Sequence, residues 1–148
     1  MKFSLRTFAA IAGLLLFCLF APASAGAAPT DVSGAASVAG NKVTSVITNN
    51  SGGVITCAVG GFPAGTVDPN MSAPTFGLTY RDVPAGGTAS VVFENVPNGT
   101  YDIHFLCANA GVTEKWATFN SQDISKTTEP VTVTVPNNQN CIFGSLCI

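Results

Sequence analysis

Charged residues are scarce in this chain. Only 9% of its 148 residues are Asp, Glu, Lys or Arg, whereas Ala, Gly, Val, Thr and Asn are abundant. Solubility therefore rests on neutral polar groups, which is more typical of a secreted β-protein than of a charged helical one. Beyond residue 25, four basic residues stand against eight acidic ones, a net charge of −4. We therefore expect no nucleic-acid partner.

Signatures of catalysis and of metal binding are also missing. The chain has no Gly-x-Ser-x-Gly sequence, the turn that exposes a serine nucleophile in many hydrolases. It has no Cys-x-x-Cys pair, and its one histidine, His104, has the opposite strand parity from Cys107, which argues against a zinc site. Asp102 could pair with His104 in a triad or with Glu94 in a glycosidase-type site, but such residues on a strand are more often solvated surface groups. We expect no enzyme activity, no cofactor and no metal.

A helical pattern of apolar residues is missing as well. Short runs in which apolar and polar residues alternate recur instead, about every 8 to 12 residues, as in β-sandwiches. In one of them Phe76, Leu78 and Tyr80 alternate with Gly77 and Thr79. The predicted strands cover residues 42–48, 54–59, 76–80, 88–96, 100–107, 114–119 and 131–135. The sequence thus predicts an all-β fold, a single antiparallel sandwich of seven strands.

One long apolar run is present, at residues 8–20. It follows Lys2 and Arg6 and precedes a series of small residues, the pattern of a secretory signal peptide. The run is shorter than the roughly 20 residues that a membrane-spanning helix needs, and no second run follows it. Three cleavage positions remain open: Ala25, Ala27 and Ala28. We expect a bacterial protein, secreted or held in the cell envelope, without a membrane span after the signal is removed.

The rest of the chain is long enough for one domain. Removing residues 1–25 leaves 123 of the 148 residues, enough for a single hydrophobic core. Residues 26–41 are small and polar without apolar periodicity, which predicts a flexible lead-in. The sandwich is then predicted over residues 42–136 and a separate tail over residues 137–148. We expect a monomer.

The stretch from Pro97 to Cys107 predicts an amphipathic strand. Pro97-Asn98-Gly99 is a turn sequence and precedes a run of β-branched and aromatic residues. Alternate residues of this strand share one face, which we expect to point toward the core: Tyr101, Ile103, Phe105 and Cys107. Asp102 and His104 have the other parity, so we expect them on a wet outer face.

The cysteines beyond the signal peptide predict two disulfides. They are Cys57, Cys107, Cys141 and Cys147. An even count in an exported chain favours bridges over free thiols, and four cysteines allow three pairings. Cys57 shares the inward parity of its strand with Ile55 and Val59.

The region of residues 42–136 resembles the immunoglobulin-type sandwich. Two inward cysteines some 50 residues apart, with Gly-Thr-Tyr opening the later strand, are similar to the cross-sheet disulfide and the tyrosine corner of that fold. Tyr101 lies six residues before Cys107 instead of two, and Trp116 follows the second cysteine. The resemblance implies that Cys57 pairs with Cys107 across two sheets, which leaves Cys141 to pair with Cys147.

A second resemblance is to the small acidic apoproteins of enediyne chromophores. They too are exported, seven-stranded, rich in Ala, Gly, Thr and Val, and carry four cysteines, although their disulfides close short loops.

Two functions therefore stay open. The first is a non-enzymatic protein- or glycan-binding or structural module of unknown ligand. The second is a small-ligand carrier or inhibitor, with a site under the loop of residues 60–75 lined by Phe62, Met71 and Phe76.

The tail residues Phe143 and Leu146 are further candidates for binding. A Cys141–Cys147 ring would hold them either as a cap on the open end of the sandwich or as an apolar knob for a partner.

The double substitution Phe143→Ala with Leu146→Ala distinguishes a cap from a knob. For a cap, we expect the melting temperature to fall by several degrees, because about 1 to 3 kcal/mol of packing is lost. For a knob, the melting temperature should hold while self-association or partner capture is lost. Calorimetry and analytical ultracentrifugation measure the two quantities; no change in either would reject both roles.

Overall fold

A computed structural model describes residues 28–121, 124, 126–136, 141–142 and 146–147. Within these ranges the chain is all-β, with two short 3-10 turns at Pro29–Asp31 and Pro69–Met71 and no α-helix. The sandwich strands are β1 (Val32–Ala39), β2 (Lys42–Asn49), β3 (Ile55–Pro63), β4 (Phe76–Val83), β5 (Gly87–Phe93), β6 (Gly99–Asn109), β7 (Lys115–Ala117) and β8 (Val131–Val135). A separate hairpin joins β9 (Cys141–Ile142) to β10 (Leu146–Cys147).

The strands form two antiparallel sheets. The first has the order β1-β2-β5, and the second the order β4-β3-β6 with β7 and β8 both on the far edge of β6. β8 pairs with the first half of β6 and β7 with its second half. The inward side chains of both sheets form one core that includes Val43, Ile47, Val91 and Trp116. The predicted all-β class is therefore confirmed.

Eight strands make up the two sheets, where the sequence predicted seven. The extra strand is β1, which lies inside the segment predicted to be a flexible lead-in and pairs with β2 along its whole length. Between Val32 and Val38, its inward positions hold the small residues Gly34 and Ala36, because the opposite sheet already fills the space there. A side chain at Gly34 would come within 3.0 Å of the Phe105 ring. Backbone pairing to β2 holds the strand without a pattern of large apolar residues.

The Cys57–Cys107 disulfide is present, but it does not cross between the sheets. β3 and β6 are neighbours in one sheet, and their register places Cys57 directly opposite Cys107 with 4.0 Å between the Cα atoms. The bridge spans 50 residues of sequence. By loop-closure entropy it stabilises the domain by about 4 kcal/mol. The cross-sheet geometry was wrong because parity alone does not tell which inward residues share a sheet.

The C-terminal hairpin contains the two cysteines of the second predicted disulfide, Cys141 and Cys147. Its register places Cys147 opposite Cys141 in the backbone. The side chains of this hairpin, and Phe143 altogether, lie outside the described residues, so the Cys141–Cys147 bridge and the role of the tail stay predictions.

The outer face of β6 is buried, contrary to the wet face predicted from its sequence. Asp102 and His104 are only 7% and 3% exposed. The segment that follows β3 lies over this face, and residues 118–119, which follow β7, are buried beside it. A strand covered on both faces needs two layers of neighbours, and alternation within one strand does not reveal the second layer.

A bulge at Gly77 changes the direction of the side chains along β4. Between the pairs Val59↔Thr79 and Gly61↔Phe76, β4 has one residue more than β3. Gly77 takes a φ of 67°, which favours glycine. Phe76 therefore packs inward against Phe93, at 5.1 Å between ring centroids, while Leu78 and Tyr80 are exposed on the outer face.

Replacing Gly77 with alanine should destabilise the protein more than the same change at Gly86. Both glycines have a left-handed φ, of 67° and 65°, but a Cβ at Gly77 would meet the Phe93 ring at 2.1 Å, whereas one at Gly86 meets nothing within 4 Å. We expect Gly77→Ala to lower the free energy of unfolding by about 2 to 4 kcal/mol and Gly86→Ala by about 1 kcal/mol. Urea denaturation measures both; equal losses would contradict the bulge.

Candidate functional site

The outer face of the second sheet forms a trough because its central strand carries small residues there. Ala58 on β3 lies between Tyr80 on β4 and Leu106 on β6. Two residues further along β3, Gly60 lies opposite His104. A Cβ at Gly60 would already lie 3.2 Å from the Gly77 carbonyl oxygen. Large side chains on both flanks of a strand of small ones leave a concave surface.

The segment of residues 62–74 covers one end of this trough. The Ala64 amide donates to the Thr100 carbonyl at 3.1 Å, and the Thr75 amide donates to the Gly61 carbonyl at 2.8 Å. Within the segment, Pro69, the first residue of the 3-10 turn Pro69–Met71, is buried. Hydrogen bonds at both ends and an apolar residue facing the sheet hold the segment in place as a roof.

A cavity of about 310 Å³ lies between this roof and the sheet, and we call it the loop cleft. Its sheet side includes Ala58, Leu78, Tyr80, His104 and Leu106, and Phe119, which follows β7, also lines it. The roof contributes mainly Phe62, Pro69 and Pro74, with Asn70 and Ser72 as polar members. The loop cleft is thus apolar over most of its wall and open at one side, where Tyr80 is 68% exposed.

A second cavity of about 460 Å³, the charged cavity, lies on the other side of His104. His104 and Phe119 line both spaces and therefore form the wall between them. The charged cavity includes Asp68, Lys126 and Glu129, of which the last two form an ion pair. An apolar and a polar space thus meet at one buried imidazole.

His104 is packed between two aromatic rings. The Phe62 ring lies 5.4 Å from the imidazole and the Phe119 ring 6.2 Å, both in edge-on orientations. Nδ1 is 2.9 Å from the hydroxyl of Thr118. Burial lowers the pKa of His104 below its ordinary value of 6.5, although the Asp102 carboxylate and the backbone of Thr66 oppose this shift.

Asp102 acts as an anchor for the roof. One carboxylate oxygen accepts the Gly65 amide at 2.7 Å, and the other accepts the Thr132 hydroxyl at 2.7 Å. The carboxylate thus ties the roof segment to β8 through β6. Both carboxylate oxygens of Asp102 thus accept hydrogen bonds from the protein.

The structure separates the residues that were predicted to line a site together. Phe62 does line the loop cleft. Met71 is 85% exposed, and Phe76 is partly buried and packs against the core, in edge-on contact with Tyr101. Trp116 is buried, and its indole Nε1 donates to the Ala28 carbonyl at 3.1 Å. Of the three residues proposed under the loop, one belongs to the cleft.

Sequence reasoning missed the small residues that create the cleft. Ala58 and Gly60 share a parity opposite to that of Cys57, so their outward direction was visible in the sequence. Two small residues in a row on the outer side of a central strand are a usable signal for a trough. Leu78 and Tyr80 carried no such signal, because the bulge that turns them outward depends on the pairing with β3.

The lowered pKa of His104 should make stability depend on pH. Below about pH 6.5 the unfolded chain takes up a proton that the buried imidazole resists, so the free energy of unfolding should decrease as the pH falls from 7.5 to 5. Asp102 lies on the same strand, and Asp68, Lys126 and Glu129 are the charged groups of the neighbouring cavity. The chain has a single histidine, so His104→Gln should flatten this dependence. Urea midpoints at pH 5, 6 and 7.5 test this; the same slope in both proteins would contradict it.

Candidate metal sites and helices able to span a membrane are both absent from the described part of the chain. It contains no group of three or more side chains suited to hold a metal ion. No helix found there has both the length and the apolar character needed to cross a membrane. Comparison with known protein families finds no match, and no curated protein is significantly similar to this chain.

Proposed function

We propose that this protein is a non-enzymatic binding domain that holds a small, largely apolar molecule in the loop cleft. The observation that carries the proposal is the cleft itself, a cavity of about 310 Å³ bounded by a rigid sheet and an anchored roof. Its volume lies at the lower end of the range of about 300 to 1,000 Å³ typical of small-molecule sites. Such a space suits a ligand of two or three fused or linked rings.

The composition of the wall favours an apolar ligand over a glycan. Asn70, Ser72, His104 and the hydroxyl of Tyr80 are the polar groups that line the cleft, and His104 is buried. A sugar would lose many hydrogen bonds to water and regain few from such a wall. Tyr80 and Leu78, exposed at the mouth, extend the apolar surface toward an entering ligand.

The arrangement of polar groups supports the absence of catalysis. An acid–base pair would need a carboxylate free to act on His104 or on a ligand. Asp102 is the nearest carboxylate in sequence, but its two oxygens accept hydrogen bonds from Gly65 and Thr132. We therefore interpret Asp102 as a structural residue and His104 as a residue of the binding wall.

We also propose an immunoglobulin-like topology for the sandwich. The order β1-β2-β5 in one sheet and β4-β3-β6 with β7 and β8 in the other corresponds to such a sandwich with β4 on the edge of the second sheet. The Tyr101 hydroxyl donates to the Pro97 carbonyl at 3.0 Å, a bond of the tyrosine-corner type. Both observations support the resemblance, although the disulfide within one sheet sets this chain apart.

An exported location completes the proposal. The Cys57–Cys107 disulfide favours an oxidising compartment, and the first 25 residues have the pattern of a signal peptide. A carrier outside the cytoplasm would protect an apolar molecule from water, and both the covalent bridge and the anchored roof suit that task.

Binding of N-phenyl-1-naphthylamine, a neutral dye that fluoresces in apolar surroundings, tests the proposal. The protein should bind one equivalent with a saturable increase in fluorescence. Ala58→Trp should weaken binding by about tenfold or more, because the indole fills the trough without entering the core. Binding should also raise the melting temperature as the dye concentration increases.

Thr56→Trp is the matched control for this experiment. Thr56 lies on the same strand and face as Ala58, two residues away, and does not line the cleft. It should bind the dye as the original protein does. The absence of saturable binding, or equal binding by the Ala58 variant, would overturn the proposal and favour a protein or glycan contact instead.

A further inference from the structure

The imidazole of His104 has an unused polar atom. Nε2 is buried, and no described group meets it with hydrogen-bond geometry; the backbone of Thr66 is near enough to the ring to raise its pKa. Almost all buried polar atoms in folded proteins have a partner, so an exception calls for a reason. Because His104 lines the loop cleft, the reason can lie in the ligand.

The hydrogen bond made by Nδ1 determines whether Nε2 is a hydrogen-bond donor or an acceptor. The Thr118 hydroxyl oxygen accepts the Phe105 amide at 3.2 Å, and its own proton finds one acceptor among the described residues, Nδ1 at 2.9 Å. When Nδ1 accepts this proton, the neutral ring carries its hydrogen on Nε2. Burial keeps the ring neutral at pH 7. The unused atom is then an N–H donor.

We propose that the loop cleft selects ligands that join an apolar ring system to a hydrogen-bond acceptor such as a carbonyl oxygen, which receives the Nε2–H of His104. This inference rests on the proposed function and names the class of its ligand. The flanking rings of Phe62 and Phe119 exclude water from the bond and fix the plane of the imidazole. A hydrogen bond made in such surroundings discriminates strongly, because a ligand without the acceptor leaves the buried donor unpaired.

The charged side chains of the charged cavity do not supply this acceptor. Its cation, Lys126, is paired with Glu129, and Asp68 uses a carboxylate oxygen to accept the Asn70 amide at 2.9 Å. Asp102, the remaining nearby carboxylate, is tied to the roof. His104 is therefore a polar group in the wall of the cleft whose hydrogen bonding a ligand would complete.

A matched pair of bicyclic probes, 1-tetralone and tetralin, tests the inference, since they share a ring skeleton and differ in one carbonyl group. Dissociation constants are measured for the original protein, His104→Phe and His104→Gln by ligand-observed NMR. The ratio of the tetralin constant to the tetralone constant should fall about tenfold in His104→Phe, which keeps a ring but loses the donor. His104→Gln, whose amide can donate, should recover part of this ratio.

A measurement on the unchanged protein makes the test independent of how the variants fold. Long-range proton–nitrogen NMR spectra should show a protonated Nε2 and an unprotonated Nδ1. Saturating tetralone should move the Nε2 proton downfield, whereas saturating tetralin should not.

The outcomes separate the two proposals. If both probes bind and neither the ratio nor the proton shift responds as described, the cleft binds apolar molecules but the role of His104 is wrong. If the unchanged protein binds neither of these probes nor the naphthylamine dye, the proposed function fails and the inference fails with it. A ring protonated on Nδ1 instead would also overturn the inference.

Discussion

The pairing of β3 with β6 is the constraint on which the rest of this structure depends. The disulfide fixes its register, because Cys57 and Cys107 must lie opposite each other. A slip of one residue would turn the inward row of β6 outward and would separate the two sulfur atoms. The same register places Ala58 opposite Leu106 and so determines where the outer trough lies. One covalent bond thus holds both the core and the candidate site in place.

Burial of both faces of β6 links the site to the fold. Its inner face carries the core residues, while Asp102 and His104 on the outer face contact the roof and the segment after β7. Asp102 fixes the roof with its carboxylate, and His104 separates an apolar space from a polar one. Neighbouring outward positions of one strand thus differ, since Asp102 satisfies its hydrogen bonds within the protein and His104 has a ring nitrogen without a hydrogen-bond partner among the described residues. That difference is the basis for expecting a selective ligand.

The apolar surface at the mouth of the cleft comes from a local irregularity. In a regular strand, Phe76, Leu78 and Tyr80 would all share one face. The bulge at Gly77 keeps Phe76 in the core and moves the other two to the outside. A glycine is needed there because its φ is positive and because Phe93 occupies the space of a side chain. The bulge therefore joins core packing to the shape of the binding surface.

The sequence by itself determined the all-β class and most of the strand positions, because alternation and turn residues are local properties of the chain. The Cys57–Cys107 pairing was implied by the resemblance to the immunoglobulin-type sandwich, since the cysteines alone allow three pairings. It did not reveal β1, whose central inward residues, Gly34 and Ala36, are small; Phe105 from the other sheet fills the space beside Gly34. It predicted a solvated face for Asp102 and His104, since a single strand does not show what will cover it. The loop cleft was expected under the right loop, but of its proposed residues Phe62 alone lines it. The register of the strands, the bulge at Gly77 and the anchoring of residues 62–74 decide which outward residues line the loop cleft. These features arise only when the sheets assemble.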